Sequence, residues 1–269
     1  MGGNLSEMSE PQLTEHEEEL IKQAIAKTLL SEPPTIGVVG VSGTGKSSTI
    51  NAMFKTDLPI SHVVACTKSF RDVNLHVNVT SGQAKGEGSV LRVVDAPGLG
   101  EDVRRDPEYL DMYLENLPRC DVILWVMTAR NRAIALDQLY LKKLDRFHDR
   151  IVFGINQIDI VEPMDWSLKT QLPSVRQERN LEEIVADRRE RLESVMDAEV
   201  KIFPYSARYG YGLQELFTLL IESCPKNRAW IFDAIKNFSP FDFLPEAARK
   251  VVLDRLQELP KKGRRPSKH

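Results

Sequence analysis

The sequence predicts an α/β fold: a three-layer sandwich around a mostly parallel six-stranded sheet with one antiparallel edge strand, extended by helices at both termini. Two observations predict this fold. Short apolar runs alternate along the chain with segments of helical spacing. Most of the apolar runs are continuous, as expected when helices cover both faces of a parallel sheet. The 269 residues, 42% hydrophobic and 28% charged, are enough to bury one sizeable core.

Six apolar runs are predicted as strands: 35–40, 69–79, 89–95, 121–127, 150–156 and 200–206. The second run alternates apolar and polar residues, which is typical of a half-exposed edge strand. The turn-rich segment TSGQAKGEG follows it and predicts an antiparallel hairpin with the third run. Helical spacing lies between the runs in 47–54, 107–117, 133–147, 180–196 and 213–223. Charges of both signs in ADRRERLES (186–194) predict an exposed helix face rather than a nucleic-acid site.

We expect the main domain to span residues 35–225. Residues 1–34 are predicted as an N-terminal helical extension, because a Glu-rich start precedes the amphipathic segment LIKQAIAKTLL. Residues 226–260 are predicted as a C-terminal helical annex, and residues 261–269 as a basic disordered tail. The formal net charge of −3 gives no general attraction to nucleic acid.

The cysteine pattern favours a reducing compartment. Cys66, Cys120 and Cys224 are scattered and odd in number, which argues against disulfides and against a zinc site. No apolar run approaches the roughly 20 residues of a membrane span, so we expect a cytoplasmic protein without a transmembrane segment. The start MGGNLS fits the myristoylation pattern at Gly2, which leaves peripheral membrane association open beside a chance match.

The stretch GVSGTGKSS (40–48) follows a predicted strand, opens a predicted helix and matches G-x-x-x-x-G-K-[ST]. Its glycines allow a tight turn that points successive N–H groups into one concavity, which suits the phosphates of a nucleotide. We expect Lys46 to reach the β and γ phosphates and the Ser47 hydroxyl to bind Mg²⁺. The alternative is an accidental glycine-rich turn, which the strand-to-helix context disfavours.

Two further segments carry candidate magnesium and phosphate contacts. In VVDAPGLG, Asp95 ends the third strand and is expected to support Mg²⁺ through water, while the Gly98 N–H is placed to sense the γ-phosphate. In ACTKS, Thr67 precedes the edge strand and is the candidate for completing the Mg²⁺ coordination. A cap or turn role is the alternative for this threonine.

The segment INQID closes the fifth predicted strand, and YSA lies at the end of the sixth. With the phosphate loop, ACTKS, VVDAPGLGE and DVILWVM, these motifs resemble Era-like GTPases of the translation-factor-related (TRAFAC) class. Within that class, the chain looks most like the prophage and bacterial Era-related group known as 50S ribosome-binding GTPases. The resemblance covers about residues 35–225. It implies a P-loop NTPase fold and a Mg²⁺-dependent switch that hydrolyses GTP to GDP and phosphate.

The resemblance also assigns the base-recognition residues. Asp159 is expected to accept from guanine N1 and N2, and Asn156 to tie this loop to the phosphate loop. Gln157 stands where the family has a lysine, and is expected to cover the guanine face without its charge. Ser206 and Ala207 are expected to place a backbone N–H against guanine O6.

The complete set of expected site residues follows from the resemblance and the motifs together. The expected GTP-binding residues are Gly40, Ser42, Gly43, Thr44, Gly45, Lys46, Ser47, Ser48, Asp95, Gly98, Asn156, Gln157, Asp159, Ser206 and Ala207. The expected catalytic residues are Lys46, Thr67 and Gly98, and the expected metal ligands are Ser47, Thr67 and Asp95.

Two positions bear on hydrolysis. Leu99 stands where many Ras-like GTPases have a glutamine that positions water, an apolar substitution that Era-like relatives share, so we expect hydrolysis to be slow alone and to be stimulated by a partner or by dimerisation. Gly43 stands where some relatives have a K⁺-binding asparagine, which argues against K⁺ activation. Arg104 or Arg105 is a candidate arginine finger, with a solvated basic pair as the alternative.

The partners expected besides guanine nucleotide are an unidentified protein effector or activator and a second copy of the chain. Ribosome or RNA binding is implied only by the family, since the C-terminal annex carries no G-x-x-G motif of an RNA-binding KH module. A nucleotide kinase is disfavoured because it would not need D-x-x-G, NQID and YSA together. A nucleotide-dependent assembling or membrane-proximal scaffold with negligible turnover is the alternative function.

Overall fold

The computed structural model describes residues 31–60, 69–77, 89–100 and 104–225, together with residues 16, 20 and 228. Several expected features lie outside these residues. They are Thr67, Cys66, Gly2, most of the N-terminal extension, the C-terminal annex beyond residue 228 and the basic tail.

In the described ranges, six strands form one sheet in the order β2-β3-β1-β4-β5-β6. β2 runs antiparallel to β3, and every other neighbouring pair is parallel. The predicted fold class is confirmed, including the antiparallel edge strand. The strands are β1 (Thr35–Val39), β2 (Arg71–Val77), β3 (Ser89–Asp95), β4 (Val122–Thr128), β5 (Ile151–Asn156) and β6 (Lys201–Pro204).

Five α-helices connect the strands or follow them in the described part of the chain: α1 (Lys46–Phe54), α2 (Asp106–Asn116), α3 (Ala135–Lys143), α4 (Val175–Met196) and α5 (Leu213–Glu222). α3 is shorter than predicted, because the chain continues from Leu144 into the 3₁₀ helix Asp145–Arg150. α4 begins five residues earlier than the apolar spacing predicted. A capping box between Ser174 and Gln177 fixes its start.

Adjacent residues of each central strand face opposite layers. Val38 and Leu124 belong to the core shared with α1 and α5, whereas their neighbours Val39 and Trp125 belong to the core shared with α2, α3 and α4. This period of two is the geometry of a strand buried on both sides. Trp125 and Phe153 are fully buried, as the sequence predicted.

Arg188 corrects the prediction of an exposed face on α4. Its side chain is only 3% exposed. The guanidinium donates hydrogen bonds to the carboxylate of Asp187 and to the backbone carbonyl of Asn131, in the loop before α3. Because α4 packs against α3, the long side chain is covered while its charge keeps polar partners.

Cys120 and Cys224 are free, buried thiols. Burial raises the pKa of each thiol to about 12. Such thiols stay protonated and unreactive, in line with a packing role. Among the helices that the structure describes, none combines the length and the apolar character needed to cross a membrane.

Candidate nucleotide-binding site

The carboxyl ends of β1, β3, β5 and β6 meet at one edge of the sheet because these strands are parallel. Four loops follow them: the phosphate loop (40–45), the DAPG loop (95–98), the NQID loop (156–159) and the YSA loop (205–207). Open α/β sheets bind their ligands at this edge. Hydrogen bonds join the four loops into one surface.

The phosphate loop turns sharply from β1 into α1. Gly40, Gly43 and Gly45 have φ angles of 136°, 79° and 89°, a region that side chains rarely allow. The Lys46 ammonium donates to the carbonyl oxygens of Gly40 and Val41, each at 3.1 Å. The loop therefore has the shape that the motif predicts, and its lysine is held against it.

Ser47 and Asp95 meet where α1 begins and β3 ends. The Ser47 hydroxyl donates to Asp95 Oδ2 at 3.0 Å, and Asp95 is fully buried. Hydroxyl and carboxylate oxygens are the hard donors that Mg²⁺ prefers. In the described ranges, no cluster of three or more Asp, Glu, His or Cys side chains forms a metal site. A cation at this position would thus need further oxygen ligands.

The DAPG loop packs directly on the phosphate loop. The Ser42 N–H donates to the Leu99 carbonyl at 2.9 Å, and the Leu99 N–H donates to the Gly40 carbonyl at 3.3 Å. A Cβ at Gly98 would lie 2.7 Å from Ser42 Cα, so glycine is required for this approach. The Leu99 side chain is fully buried in the core and brings no polar group to this position.

Three side chains that the sequence analysis missed fix the DAPG loop and the residues after it. The Tyr113 hydroxyl donates to the Pro97 carbonyl at 2.6 Å. Asp106 accepts from the Gly100 N–H at 2.9 Å and from the Tyr140 hydroxyl. Burial raises the pKa of Tyr113 far above its usual range, so this hydroxyl stays a donor.

Asn156 connects three of the four loops. Its Nδ2 donates to the Thr44 carbonyl at 3.0 Å, and its Oδ1 accepts from the Ala207 N–H at 3.1 Å. Beside it, the Ser206 hydroxyl donates to Asp159 Oδ1 at 2.7 Å. All three polar side chains are buried, with Ser206 at 0%, Asn156 at 3% and Asp159 at 7% exposed. The structure therefore brings the predicted base-recognition residues together next to the phosphate loop.

Gln157 adopts a left-handed backbone conformation, with φ of 64°. Its Oε1 accepts from the Thr128 hydroxyl at 2.7 Å, which orients the amide at the end of β4. Thr128 was not predicted from the sequence, because no local pattern marks a hydrogen bond between two strand ends. This bond holds the Gln157 side chain in place.

A second buried link joins α1 to the YSA loop. The Thr49 and Tyr205 hydroxyls lie 2.7 Å apart, and Thr49 Oγ1 also donates to the Gly45 carbonyl at 2.8 Å. Burial raises the pKa of Tyr205 above its usual range. Neither residue belonged to the predicted site.

The two candidate finger arginines differ in their surroundings. Arg105 forms an ion pair with Glu108 at 3.8 Å, and its guanidinium lies 4.7 Å from the centre of the Tyr109 ring. Arg104 is exposed. The arginine finger stays a prediction. The metal-ligand role of Thr67 stays one too, because Thr67 lies outside the described residues.

Comparison with known families gives a match to the 50S ribosome-binding GTPase family over residues 35–157. The matched segment contains the phosphate loop, the DAPG loop and the first two residues of the NQID loop. These findings support a P-loop GTPase of the translation-factor-related class.

Two curated relatives and one solved structure illustrate the similarity. The chain is 32% identical to YfjP of Escherichia coli over 196 residues, which are 72% of this chain and 63% of YfjP. It is 36% identical to YkfA of Escherichia coli over 138 residues, 50% of this chain and 45% of YkfA. The chain thus spans about half to two-thirds of these relatives. Toc33 from Arabidopsis thaliana shares the fold, with a TM-score of 0.53 and 16% identity over 79% of this chain and 93% of Toc33.

Proposed function

We propose that this protein is an Era-like GTP-binding switch that hydrolyses GTP to GDP and phosphate, slowly when alone and faster with a protein partner or as a dimer. The observation that carries the proposal is the Asn156 bridge. One amide contacts both the Thr44 carbonyl of the phosphate loop and the Ala207 N–H of the YSA loop. A site that must hold a base and a triphosphate together needs such a connection.

The phosphates are assigned to the loop between β1 and α1. The backbone N–H groups of residues 43–48 and the start of α1 favour negative charge there. The Lys46 ammonium, 3.1 Å from two loop carbonyls, adds a positive charge at the same place. Lys46 and these N–H groups would stabilise charge on the bridging oxygen between the β and γ phosphates. Gly98, packed on Ser42, is assigned to sensing the γ-phosphate.

Mg²⁺ fits the pair formed by Ser47 and Asp95, whose oxygens lie 3.0 Å apart. We assign Ser47 as a direct ligand, Asp95 as support through water and Thr67 as the further ligand. When bound, Mg²⁺ would neutralise charge on the β and γ phosphates.

The guanine base is assigned to Asp159, with Ser206 fixing one of its carboxylate oxygens and Gln157 beside it. Slow hydrolysis follows from Leu99, whose buried apolar side chain cannot polarise water. A partner or a second copy would then have to supply the missing group.

Titration of the purified chain with fluorescent GDP, GTP and ATP analogues in Mg²⁺ tests the proposal, with phosphate release recorded in parallel. Lys46→Ala should abolish nucleotide binding, while Lys143→Ala, an exposed lysine at the end of α3, should not. Asp159→Asn should shift preference from GTP toward XTP. Equal binding of ATP and GTP by the wild type would refute guanine recognition, and unchanged GTP affinity in Asp159→Asn would refute the assignment of Asp159.

A further inference from the structure

The first turn of α4 carries a buried glutamine directly behind the NQID loop. Gln177 is the third residue of the helix and is only 1% exposed. We infer that Gln177 positions Asp159 for guanine recognition. This inference rests on the proposed function, and it assigns Gln177 no contact with the base itself.

Both ends of the Gln177 amide are engaged. Its Nε2 donates to the Val161 carbonyl at 2.9 Å and, at 3.4 Å, to the carbonyl of Asp159. Its Oε1 accepts from the Ser174 N–H at 3.2 Å. The amide therefore ties the start of α4 to the backbone of the residue proposed to read the base.

Helix capping explains only half of these contacts. In a capping box the side chain at this position needs an acceptor, and glutamate serves as well as glutamine. The two bonds from Nε2 need a donor, which glutamate in its charged form lacks. Those bonds reach two buried carbonyl groups that have no place in the capping box. The Val161 carbonyl also accepts from the Met164 N–H at 2.9 Å, so the cost of losing a donor falls mainly on the Asp159 carbonyl. The choice of glutamine thus serves the loop as well as the helix.

Asp159 is held at its carboxylate by Ser206 and at its backbone by Gln177. Ser206 donates to Oδ1 at 2.7 Å, while Gln177 holds the backbone of the short 3₁₀ helix Ile158–Ile160 that carries this side chain. Guanine offers its N1–H and its exocyclic amine to a carboxylate, whereas hypoxanthine offers only the N1–H. Displacement of the carboxylate should therefore reduce the preference for GTP over ITP more than it reduces phosphate binding.

The experiment measures the ratio of the dissociation constants for ITP and GTP, by displacement of a fluorescent GDP analogue from the full chain. Gln177→Glu keeps the acceptor of the capping box and removes the donors. Gln177→Met is nearly the same size, removes both, and provides a second test if the buried glutamate prevents folding. Ser174→Ala is the matched control, because it removes the serine side chain of the capping box and leaves the amide of Gln177 intact.

We expect both Gln177 variants to lower the ITP-to-GTP ratio by about tenfold, the effect of one weakened charge-assisted hydrogen bond, while Ser174→Ala leaves the ratio unchanged. Ratios equal to the wild type in the Gln177 variants would overturn the inference. An equal fall in Ser174→Ala would overturn it too, because the effect would then belong to the helix cap. A wild type that binds GTP and ITP alike refutes the guanine proposal itself, a result visible before any variant is made.

Discussion

Replacing Asp137 by Asn should make the stability of the protein less dependent on pH. Asp137 lies in the first turn of α3, is 5% exposed, and accepts a hydrogen bond from Trp125 Nε1 at 2.8 Å. Burial raises the pKa of its carboxyl from 3.8 to about 6, against the opposing effects of the Trp125 bond and of the charges on Arg188 and Lys46. Asparagine keeps an oxygen for the tryptophan and carries no charge.

The sign and size of the pH effect on stability follow from the raised pKa of Asp137. A raised pKa means that the folded chain binds the proton more tightly than the unfolded chain, so the contribution to stability is present below pH 3.8 and is lost as pH rises through about 6. One pKa unit corresponds to about 1.4 kcal/mol, which gives a total loss of about 3 kcal/mol. About 2 kcal/mol of this contribution to the free energy of unfolding is lost between about pH 4.5 and about pH 7.

Urea unfolding at several pH values measures the effect. The free energy of unfolding of Asp137→Asn, relative to the wild type, should increase by about 2 kcal/mol from about pH 4.5 to about pH 7 and then level off. Asp149→Asn controls for the loss of one carboxylate, because the side chain of Asp149 is 71% exposed. A pH-independent difference between Asp137→Asn and the wild type would refute the assignment of a raised pKa to this group.

Three further outcomes are expected. In urea unfolding, Gly40→Ala should destabilise the chain by about 3 kcal/mol or more, because the added Cβ would lie 2.4 Å from the Val126 carbonyl oxygen. Gly43→Ala should cost only about 1–2 kcal/mol, because no heavy atom lies within 4 Å of its added Cβ. Equal costs would contradict the steric argument. Tyr140→Phe should lower stability by about 1.5–3 kcal/mol through loss of its bond to Asp106, and no change in the urea midpoint would show that bond to be unimportant. Phosphate release should be equal in K⁺ and Na⁺, since Gly43 stands where some of the GTPases that the chain resembles have a K⁺-binding asparagine; faster release in K⁺ would contradict this.

The sequence predicted the sheet and the loops of the candidate site because their signals are local. Continuous apolar runs identify buried strands, and the phosphate-loop motif needs only neighbouring residues. The edge strand was recognised by alternation, which follows from one face being less buried. α3 was overextended because apolar spacing continues from the helix into the 3₁₀ turn that follows it.

The supporting residues were missed because their partners are remote in sequence. Thr128 and Gln157 are 29 positions apart, and Thr49 and Tyr205 are 156 apart. Arg188 was placed on an exposed face because its neighbours on the helix are charged, and only the packing of α3 on α4 covers it. Gln177 did have a local signal, the spacing S-x-x-Q from Ser174, but that pattern predicts a helix start and says nothing of the carbonyl groups beyond it.

Two separate links join the base side of the candidate site to its phosphate side. Asn156 reaches the Thr44 carbonyl, and Tyr205 is connected through Thr49 to the Gly45 carbonyl. Both links therefore end on neighbouring peptide groups in the last turn of the phosphate loop. A shift of the NQID loop would take the Asn156 donor away from the Thr44 carbonyl, which costs free energy. The Gly45 carbonyl would keep the N–H and the hydroxyl of Thr49 as donors after a shift of the YSA loop. Base recognition and phosphate binding are for this reason expected to be lost together when the Asn156 link is broken, whereas the Gln177 contacts, which do not reach the phosphate loop, should affect base preference alone.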